Sequence, residues 1–308
     1  MKKLKSSIKK ILFTGGGGVG NELIWRVLNR KYQLFFCDSN INKISSIIPK
    51  KNIFKVPNVN SKNYIKNVQN ICRYKKINLV VPGIDEELKL FKNNSKKFEN
   101  LFLPSKKMIK ICNDKWLFYK FILEKKLNVP KTSLAKHYNP KNHDKNVLIK
   151  PKDGRGSRGI FYSTSVKITY LYLKILKIKN LLDNYIVQDY IKGDEFTVTH
   201  FHKKKSFIFP LKVKEKKGIT IRAKTSKNKF VIKFCKKISK IFNQEMIFNS
   251  QLIKNKKNKV FLIEINPRVS TTFCFLIANN YDPFSDKFLI NKKDKFSSLY
   301  REINNLVK

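Results

Sequence analysis

Polar and apolar side chains alternate at the end of the segment Val260–Arg268. Glu264, Asn266 and Arg268 stand at every second position, and side chains of a β-strand alternate between its two faces. The three would therefore share one face if extended backbone continues through Pro267. A carboxylate and an amide oxygen are hard ligands suited to Mg²⁺, and a guanidinium suits a phosphate. The spacing predicts a site for a metal and a phosphate; the alternative is a polar solvent face.

The other residues of this strand are apolar. Phe261, Ile263 and Ile265 would face the opposite way, into a core. Gln251, on a preceding strand, could add a third oxygen to the metal site.

A second segment that could take part in binding or catalysis is Lys150–Gly159, which contains Gly154, Gly156 and Ser157. A strand leads to Lys150 and a glycine-rich loop follows. Backbone N–H groups of such loops can surround phosphate oxygens while the lysine adds charge. The GK[ST] ending of a Walker A motif is absent, and the alternative is a basic surface hairpin.

Gly15, Gly17 and Gly20 form a third pattern between a strand and a helix, and Asp38 ends the next strand. This arrangement satisfies the dinucleotide fingerprint, in which a helix N-terminus faces a phosphate. One alternative is therefore an NAD-dependent oxidoreductase; the other is a related domain that uses the same turn without NAD. Glycine is scarce elsewhere: eight of the 11 glycines lie in these two loops, which indicates demanding backbone geometry there.

Two further patterns are less specific. In Tyr185–Glu195, the polar pair Gln188 and Asp189 lies among apolar residues, as in an ordinary strand followed by a turn. His200 and His202 share a strand face without a third ligand, and we interpret them as surface residues.

The elements that must position these residues fall into two groups. The first third alternates strands with helices, which predicts a parallel, wound sheet. The expected strands are Ile11–Phe13, Gln33–Cys37 and Ile77–Val81. The expected helices are Asn21–Asn29 and Ser61–Tyr74. A domain boundary is expected near Leu103–Ser105.

The remainder predicts an α+β region with mostly antiparallel strands. A helix at Asp114–Lys126 should end near Asn128, a residue that tolerates the left-handed C-terminal cap. The expected strands are Val147–Lys150, Ile186–Tyr190, Glu195–His202, Phe207–Lys214 and Val260–Ile265. Helices are expected near Val166–Lys177 and Lys229–Ile241.

Composition limits the classes of protein. At 308 residues and 42% hydrophobic content, the chain can form two domains, or three, with sizeable cores. Its five cysteines are scattered without a CxxC pair, which suits a cytoplasmic, reducing location and signals no zinc site. No apolar run approaches the roughly 18–20 residues that cross a bilayer, so no membrane association is expected.

The net charge of +46 invites a nucleic-acid-binding interpretation. However, only eight of the 67 basic residues are arginine, and arginine is the residue that reads phosphates and bases bidentately. Lysine, asparagine, isoleucine and phenylalanine have AT-rich codons, so genome composition explains much of the bias. A basic nucleic-acid-binding protein is therefore kept only as a disfavoured alternative.

Taken in order, these motifs resemble the ATP-grasp superfamily, and within it the carboxylate–amine ligases similar to the carbamoyl-phosphate synthase large chain. The resemblance covers about residues 10–285. It implies a Rossmann-like pre-ATP-grasp domain over residues 1–105, an ATP-grasp domain over 106–290, and a short Lys-rich C-terminal segment over 291–308. The large C-terminal domain usual in that family is missing, which argues against complete carbamoyl-phosphate synthesis.

The resemblance also implies roles for individual residues. Lys115 and Lys150 should contact the phosphates of ATP, and the loop with Gly154, Gly156 and Ser157 should close over them. The residues expected around adenine and ribose are Gln188, Asp189, Ile191 (through its backbone) and Glu195. The Mg²⁺ (or Mn²⁺) ligands would be Glu264, Asn266 and, as a weaker third, Gln251. Arg268 and Arg222 would steady the transferred phosphoryl group.

The implied reaction is ATP-dependent ligation. A substrate carboxylate attacks the γ-phosphate of ATP, and an amine or similar nucleophile then displaces phosphate from the acyl phosphate. The partners would be small molecules, and a homodimer is left open. Val81–Glu87 resembles the strand end of related first domains and should contact the substrate; the alternative is a helix start with Asp85 as the N-cap.

Overall fold

The computed structural model describes residues 9–18, 20–154, 158–202, 206–217, 219–245, 247–270, 272–278 and 282–285. The first domain contains four parallel strands in the order β3-β2-β1-β4, which confirms the predicted parallel sheet. Its elements are β1 (Lys10–Thr14), α1 (Asn21–Leu28), β2 (Gln33–Asp38), β3 (Ile53–Lys55), α2 (Tyr64–Lys75), β4 (Leu79–Val81) and α3 (Asp85–Asn93).

Both faces of this sheet are covered, which explains why its central strands are continuously apolar. On one face, Phe13 stacks on Phe36 with ring centroids 5.4 Å apart, and α1 adds Ile24 and Leu28. On the other face, Leu12 packs in a core with α2 and α3. The carboxyl ends of the strands are therefore held rigidly at one edge.

Two helices, α4 (Lys106–Cys112) and α5 (Lys115–Glu124), follow the first domain. The Asp114 carboxylate accepts hydrogen bonds from the backbone N–H groups of Trp116 and Leu117 at 2.8 and 3.0 Å, so it caps α5. The left-handed residue after this helix is Lys126, with φ 55°. It is not Asn128, whose side-chain amide instead donates to the carbonyl of Val260.

The middle of the chain forms a small antiparallel sheet in the order β5-β8-β6-β7. Its elements are β5 (Thr132–Leu134), β6 (Val147–Pro151), β7 (Phe161–Ser163), α6 (Val166–Ile178) and β8 (Tyr185–Asp189). Helix α6 packs on one face through Leu173 and Leu176. The other face is left to meet the next sheet.

The third sheet has five antiparallel strands in the order β11-β10-β9-β12-β13, which confirms the predicted antiparallel character. Its elements are β9 (Asp194–His202), β10 (Ser206–Lys217), β11 (Ile219–Thr225), α7 (Lys229–Ile241), β12 (Ile247–Lys254), β13 (Val260–Asn266) and α8 (Phe273–Ala278). Among the residues described, no helix is long and apolar enough to cross a bilayer.

This large sheet joins the two halves of the molecule. Phe209 and Leu211 of β10 share a core with α1 and β1 of the first domain. Phe248 and Leu252 of β12 share another core with α5 and α7. The large sheet therefore fixes the first domain relative to the residues of β12 and β13.

The interpretation of His200 and His202 as surface residues is wrong. They are 0% and 5% exposed, because β9 lies between β10 and β12 in a covered sheet. The two ring nitrogens of His200 bond to the hydroxyls of Ser239 and Ser250, both at 2.8 Å. Burial, together with the neighbouring His202, lowers the pKa of His200 to about 3, so its ring is a neutral part of the core.

The predicted facing of β13 is also partly wrong. Val260, Leu262 and Ile265 are the core residues, whereas Phe261 and Ile263 are only partly buried. Gln251 pairs with Glu264 while Leu252 pairs with Leu262, so Ile263 is an extra residue. It forms a β-bulge that shifts the alternation by one residue, and the strict two-residue period assumed from sequence does not hold across it.

We expect this bulge to be visible in the free energy of unfolding. Leu262→Ala should lower it by roughly 2–5 kcal/mol, because Leu262 is fully buried. Ile263→Ala, next in sequence, should lower it by roughly 1 kcal/mol or less, since Ile263 lies outside the core. Urea unfolding of both variants makes the measurement. Equal losses, or a larger loss for Ile263→Ala, would contradict the assigned facing.

Candidate active site

A cavity of about 410 Å³ lies between the small and the large sheet. Strand β6 contributes one wall through Leu148 and Lys150, and β12 and β13 contribute the opposite wall. The predicted site residues that line it are Lys115, Lys150, Gly154, Glu195, Gln251, Glu264, Asn266 and Arg268. The structure thus brings together residues that lie as much as 153 positions apart in the sequence.

Three oxygen-bearing side chains meet on the wall formed by β12 and β13. Gln251 stands opposite Glu264, and the Asn266 amide nitrogen lies 3.4 Å from a Glu264 carboxylate oxygen. The bulge at Ile263 turns Glu264 towards the cavity. One carboxylate with two amide side chains is a donor set that fits Mg²⁺. In the part of the chain that is described, no cluster of three or more His, Cys, Asp or Glu side chains offers a metal site.

Lys150 is 4% exposed, and its ammonium donates to the Gln188 side-chain oxygen at 2.7 Å. Burial lowers the pKa of Lys150 to about 8; the Glu264 carboxylate opposes this shift, and the cations of Lys115 and Lys216 add to it. With a pKa of about 8, the Lys150 ammonium is therefore half deprotonated near pH 8. A phosphate placed beside it would favour the charged form.

Lys115 begins helix α5 and ties it to the glycine-rich loop. Its backbone N–H donates to the carbonyl of Lys152 at 2.8 Å, and its ammonium donates to the carbonyl of Gly154 at 3.1 Å. Burial lowers the pKa of Lys115, while Glu264 and Asp153 act in the opposite direction. The two lysines thus approach the same carboxylate from different elements.

Arg268 is held by a residue of the first domain. Its Nε and Nη2 atoms donate to the two carboxylate oxygens of Asp85, both at 2.8 Å. Burial acts to lower the pKa of Arg268, but Asp85 and Glu264 outweigh it and the pKa is raised. Asp85 is the first residue of α3, and Ile84 occupies the N-cap position. The alternative interpretation of Asp85 as the cap is therefore wrong.

The two polar residues of β8 do not line this cavity. Gln188 bonds to Lys150 and donates to the Thr132 hydroxyl at 2.9 Å. Asp189 accepts from the backbone N–H of Asp144 at 3.2 Å and bonds to the His143 ring at 2.7 Å. Asp189 thus lies on the face of the small sheet opposite the cavity, together with Val147.

The remaining predicted residues are placed as follows. Ile191 lies just after β8 and is not among the lining residues. The Arg222 guanidinium pairs with Glu215 at 3.0 Å and its side chain is 56% exposed, outside the cavity. Gly156 and Ser157 lie outside the described residues.

Several lining residues escaped sequence analysis. The buried Asn249 amide donates to the hydroxyls of Thr197 and Thr272 at 3.0 and 2.8 Å. Asn249 lies two residues before Gln251, so strand alternation could have indicated it. Lys216, which bonds to Glu195 and Gln251, gave no signal because its strand was assigned only as far as Lys214.

Other residues of the protein fill the space beside the first glycine loop. The Gly17 N–H donates to the Asp38 carboxylate at 2.9 Å. A Cβ atom at Gly17 would lie 2.7 Å from Cβ of Lys43, and one at Gly16 would lie 3.0 Å from Ile44. Asp38 therefore binds the loop backbone and the segment after β2 covers the loop. This geometry does not favour the NAD-dependent alternative.

The family assignment comes from two matches. Residues 112–272 match the model of an ATP-grasp domain, and residues 22–104 match a PylC-like N-terminal domain. The first match covers more than half of the chain, so the protein belongs to the ATP-grasp family. The mixed fold, with an N-terminal domain followed by an ATP-grasp domain, confirms the predicted fold class. A comparison with curated proteins finds no match.

Solved structures share this fold at low sequence identity. N5-carboxyaminoimidazole synthetase from Staphylococcus aureus, complexed with ADP, has a TM-score of 0.68 at 13% identity, covering 91% of this chain and 76% of that one. Biotin carboxylase from Campylobacter jejuni has a TM-score of 0.69 at 13% identity, covering 90% and 69%. N5-carboxyaminoimidazole synthase from Aspergillus clavatus has 0.68 at 14%, covering 90% and 75%.

The lowered pKa of Lys150 predicts a pH-dependent affinity for Mg-ATP. The ammonium is lost as the pH rises through about 8, so affinity should fall above that value by up to about tenfold per pH unit. Calorimetry between about pH 7.5 and 9.5, in two buffers of different ionisation enthalpy, would also detect the proton taken up on binding. Lys150→Met should bind weakly, with a flatter profile. A wild-type affinity that is constant up to pH 9.5 would contradict the assignment.

The same shift has a consequence for stability. The folded pKa of Lys150 lies below its usual value of 10.5, so the unfolded chain binds more protons between about pH 8 and 10.5. The contribution of Lys150 to the free energy of unfolding should therefore rise with pH in that window. Urea unfolding of wild type and Lys150→Met at about pH 8 and 10 isolates it. A difference between the two proteins that does not change with pH would contradict it.

Proposed function

We propose that the protein uses Mg-ATP to activate a substrate carboxylate as an acyl phosphate, which an amine or similar nucleophile then attacks. The observation that carries this proposal is the convergence of Lys115, Lys150, Glu264, Asn266 and Arg268 around one cavity of an ATP-grasp fold. Relatives of the same fold have been solved with ATP or ADP, which supports the choice of nucleotide.

The chain's own residues supply positioning and charge. In the first step, a carboxylate oxygen attacks the γ-phosphorus and the bond to the β-phosphate breaks, so that ADP leaves. We assign to Lys115, Lys150 and Arg268 the binding of the phosphate oxygens and the stabilisation of the charge that develops on them. In the second step, the nucleophile attacks the acyl carbon, loses a proton, and inorganic phosphate departs.

A divalent cation fits the oxygen donors of β12 and β13. Glu264, Asn266 and Gln251 would hold Mg²⁺ or Mn²⁺, which would neutralise phosphate charge. Arg268 is the residue we propose for the transferred phosphoryl group. Arg222 has weaker support, because it pairs with Glu215 at the surface.

The carboxylate and the nucleophile have space next to the nucleotide. A cleft of about 830 Å³ adjoins the cavity and shares Lys115, Gly154, Glu264 and Asn266 with it. Asp85 and Glu86 of the first domain line this cleft, which supports a substrate position near the predicted segment Val81–Glu87. We also propose a cytoplasmic location, because the four cysteines with described side chains are all unpaired and suit a reducing compartment. A homodimer is proposed as the oligomeric state.

The test combines binding with turnover. Calorimetry should show that ATP binds tightly with Mg²⁺ and far more weakly in EDTA. A panel of carboxylates, with and without amines, should then identify a pair that stimulates ADP release. Equal ATP affinity in EDTA would refute the metal assignment, and the failure of every carboxylate to stimulate ADP release would argue against ligation.

Glu264→Gln should lower turnover by roughly 10²-fold or more with the substrate so identified, because it removes the carboxylate of the proposed metal site. The fold should remain, since Glu264 lies outside the cores. Glu124→Gln, at the exposed end of α5, is the matched control and should behave as wild type. Wild-type ADP release by Glu264→Gln would make Glu264 a structural residue.

A further inference from the structure

Helix α6 leaves a line of apolar side chains exposed on the outside of the small sheet. Its buried residues Leu173 and Leu176 pack on that sheet. Four aliphatic side chains on another part of its surface are 40–74% exposed, namely Ile168, Leu171, Ile175 and Ile178. They follow one another at intervals of three, four and three residues, so they lie in one line along the helix. We call these four residues the apolar stripe.

Amino-acid composition does not explain this exposure. Helix α7 has the same length, 13 residues, and a similar mixture of lysine and apolar residues. Among the large apolar residues of α7, each of which the structure describes, Phe230 alone is exposed. In the described parts of the chain, six of the 13 exposed large hydrophobic side chains lie on α6. Clustered exposure of this kind marks an interaction surface.

The apolar stripe lies towards the β7 edge of the small sheet. Tyr172, between the stripe and the buried residues of α6, stacks on Phe161 of β7 with ring centroids 4.1 Å apart. On the other side of the helix, Tyr170 contacts Tyr138, in the segment after β5. Helix α6 packs on the sheet face that carries Val147, opposite the cavity. A molecule bound to the stripe would therefore not compete with a ligand in the cavity.

Two lysines border the apolar stripe. At roughly 100° per residue, Lys167 and Lys174 project beside Leu171 and Ile178 and on the side of α6 opposite its buried residues. No acidic residue occurs between positions 160 and 182, so α6 offers these lysines no carboxylate. In a pair of helices, both lysines would occupy the flanking positions that meet charged residues of the partner.

We propose that the apolar stripe binds an acidic amphipathic helix of another protein. The spacing of three, four and three residues is that of a helix–helix seam, and the lysines favour carboxylates beside the partner's apolar residues. A second copy of α6 would bring further lysines and no carboxylate. The whole chain has 21 acidic and 67 basic residues, which also favours a different protein as the source of the acidic helix.

A flat membrane surface fits the apolar stripe less well. Lys167 and Lys174 occupy the side of α6 that points directly away from the sheet, and the stripe lies between them and the edge strand β7. An anionic bilayer would meet the lysines first, whereas an interfacial helix immerses its apolar face. A partner helix can lie in the angle between α6 and β7. Spacing and charge therefore favour the same occupant.

The experiment uses a synthetic peptide of three heptads, about 21 residues, with Ile and Leu at the seam positions and Glu beside them. A scrambled peptide of the same composition is the control, because a chain with a net charge of +46 attracts any acidic peptide. Fluorescence anisotropy with the full chain at about 0.15 M salt should give a Kd of roughly 1–100 µM for the amphipathic peptide. The scrambled peptide should bind at least about tenfold more weakly, because it presents no apolar line.

Variants of the protein separate the apolar stripe from the overall charge. Leu171→Gln combined with Ile175→Gln should weaken binding roughly tenfold or more, because two aliphatic contacts are lost. Phe230→Gln, at an exposed apolar position of α7, is the matched control and should bind as wild type. Lys174→Gln should weaken binding roughly 1.5- to 5-fold, whereas Lys236→Gln, at an exposed position of α7, should have little effect. Melting temperatures should stay at the wild-type value, because every substituted side chain is exposed.

The outcomes decide between the possible occupants. Equal affinity for the two peptides, or undiminished binding by the Leu171→Gln and Ile175→Gln double variant, would overturn the inference. Flotation with vesicles of phosphatidylcholine and phosphatidylserine tests a membrane, and sedimentation at increasing protein concentration tests a second copy. Vesicle binding or self-association that the double variant abolishes would also overturn the inference. It does not rest on the proposed function, since peptide binding and Mg-ATP binding are separate measurements and either can fail alone.

Discussion

The site depends on the electrostatic attraction between the Glu264 carboxylate and the three cationic side chains around it. This carboxylate stabilises the charged forms of Lys115, Lys150 and Arg268, which reach it from three different elements. Burial opposes all three of these positive charges, because a low-dielectric interior disfavours an ion without a partner. Arg268 has Asp85 as a second carboxylate partner, and Glu264 is the carboxylate that acts on all three cations. A polyphosphate placed beside the two lysines would further favour their charged forms.

The position of Glu264 depends in turn on the backbone of β13. The bulge at Ile263 turns Glu264 and Asn266 towards the cavity while Leu262 and Ile265 keep the strand anchored in the core. Arg268, beyond the end of the strand, is fixed differently. Its planar fork is clamped by Asp85, and such bidentate pairs hold the guanidinium in one orientation. The first domain therefore contributes directly to the geometry of the cavity, which Arg268 lines.

Strand β8 contains two adjacent polar residues, and both side chains hydrogen-bond to other residues of the protein. Gln188 and Asp189 are adjacent and buried, yet they point to opposite faces of the small sheet and have separate partners. Gln188 faces Lys150 and Thr132, and Asp189 faces His143. A buried carboxylate requires such a partner. The composition of the motif predicts that both residues are important, but it does not show that Gln188 lies on the cavity side of the sheet and Asp189 on the opposite side.

The amino-acid sequence alone indicated most of the longer elements, the parallel and antiparallel character of the sheets, and several residues that line the cavity. These properties follow from local hydrophobic periodicity, from glycines concentrated in two loops, and from short motifs whose chemistry is legible in one strand. Tertiary structure decided which face each residue takes and which partner it meets. The bulge depends on the register between β12 and β13, and the burial of His200 depends on what covers β9. The Asp85–Arg268 pair joins residues 183 positions apart. Such pairings arise from packing between distant segments, and a periodic pattern within one segment contains no information about what will lie against it.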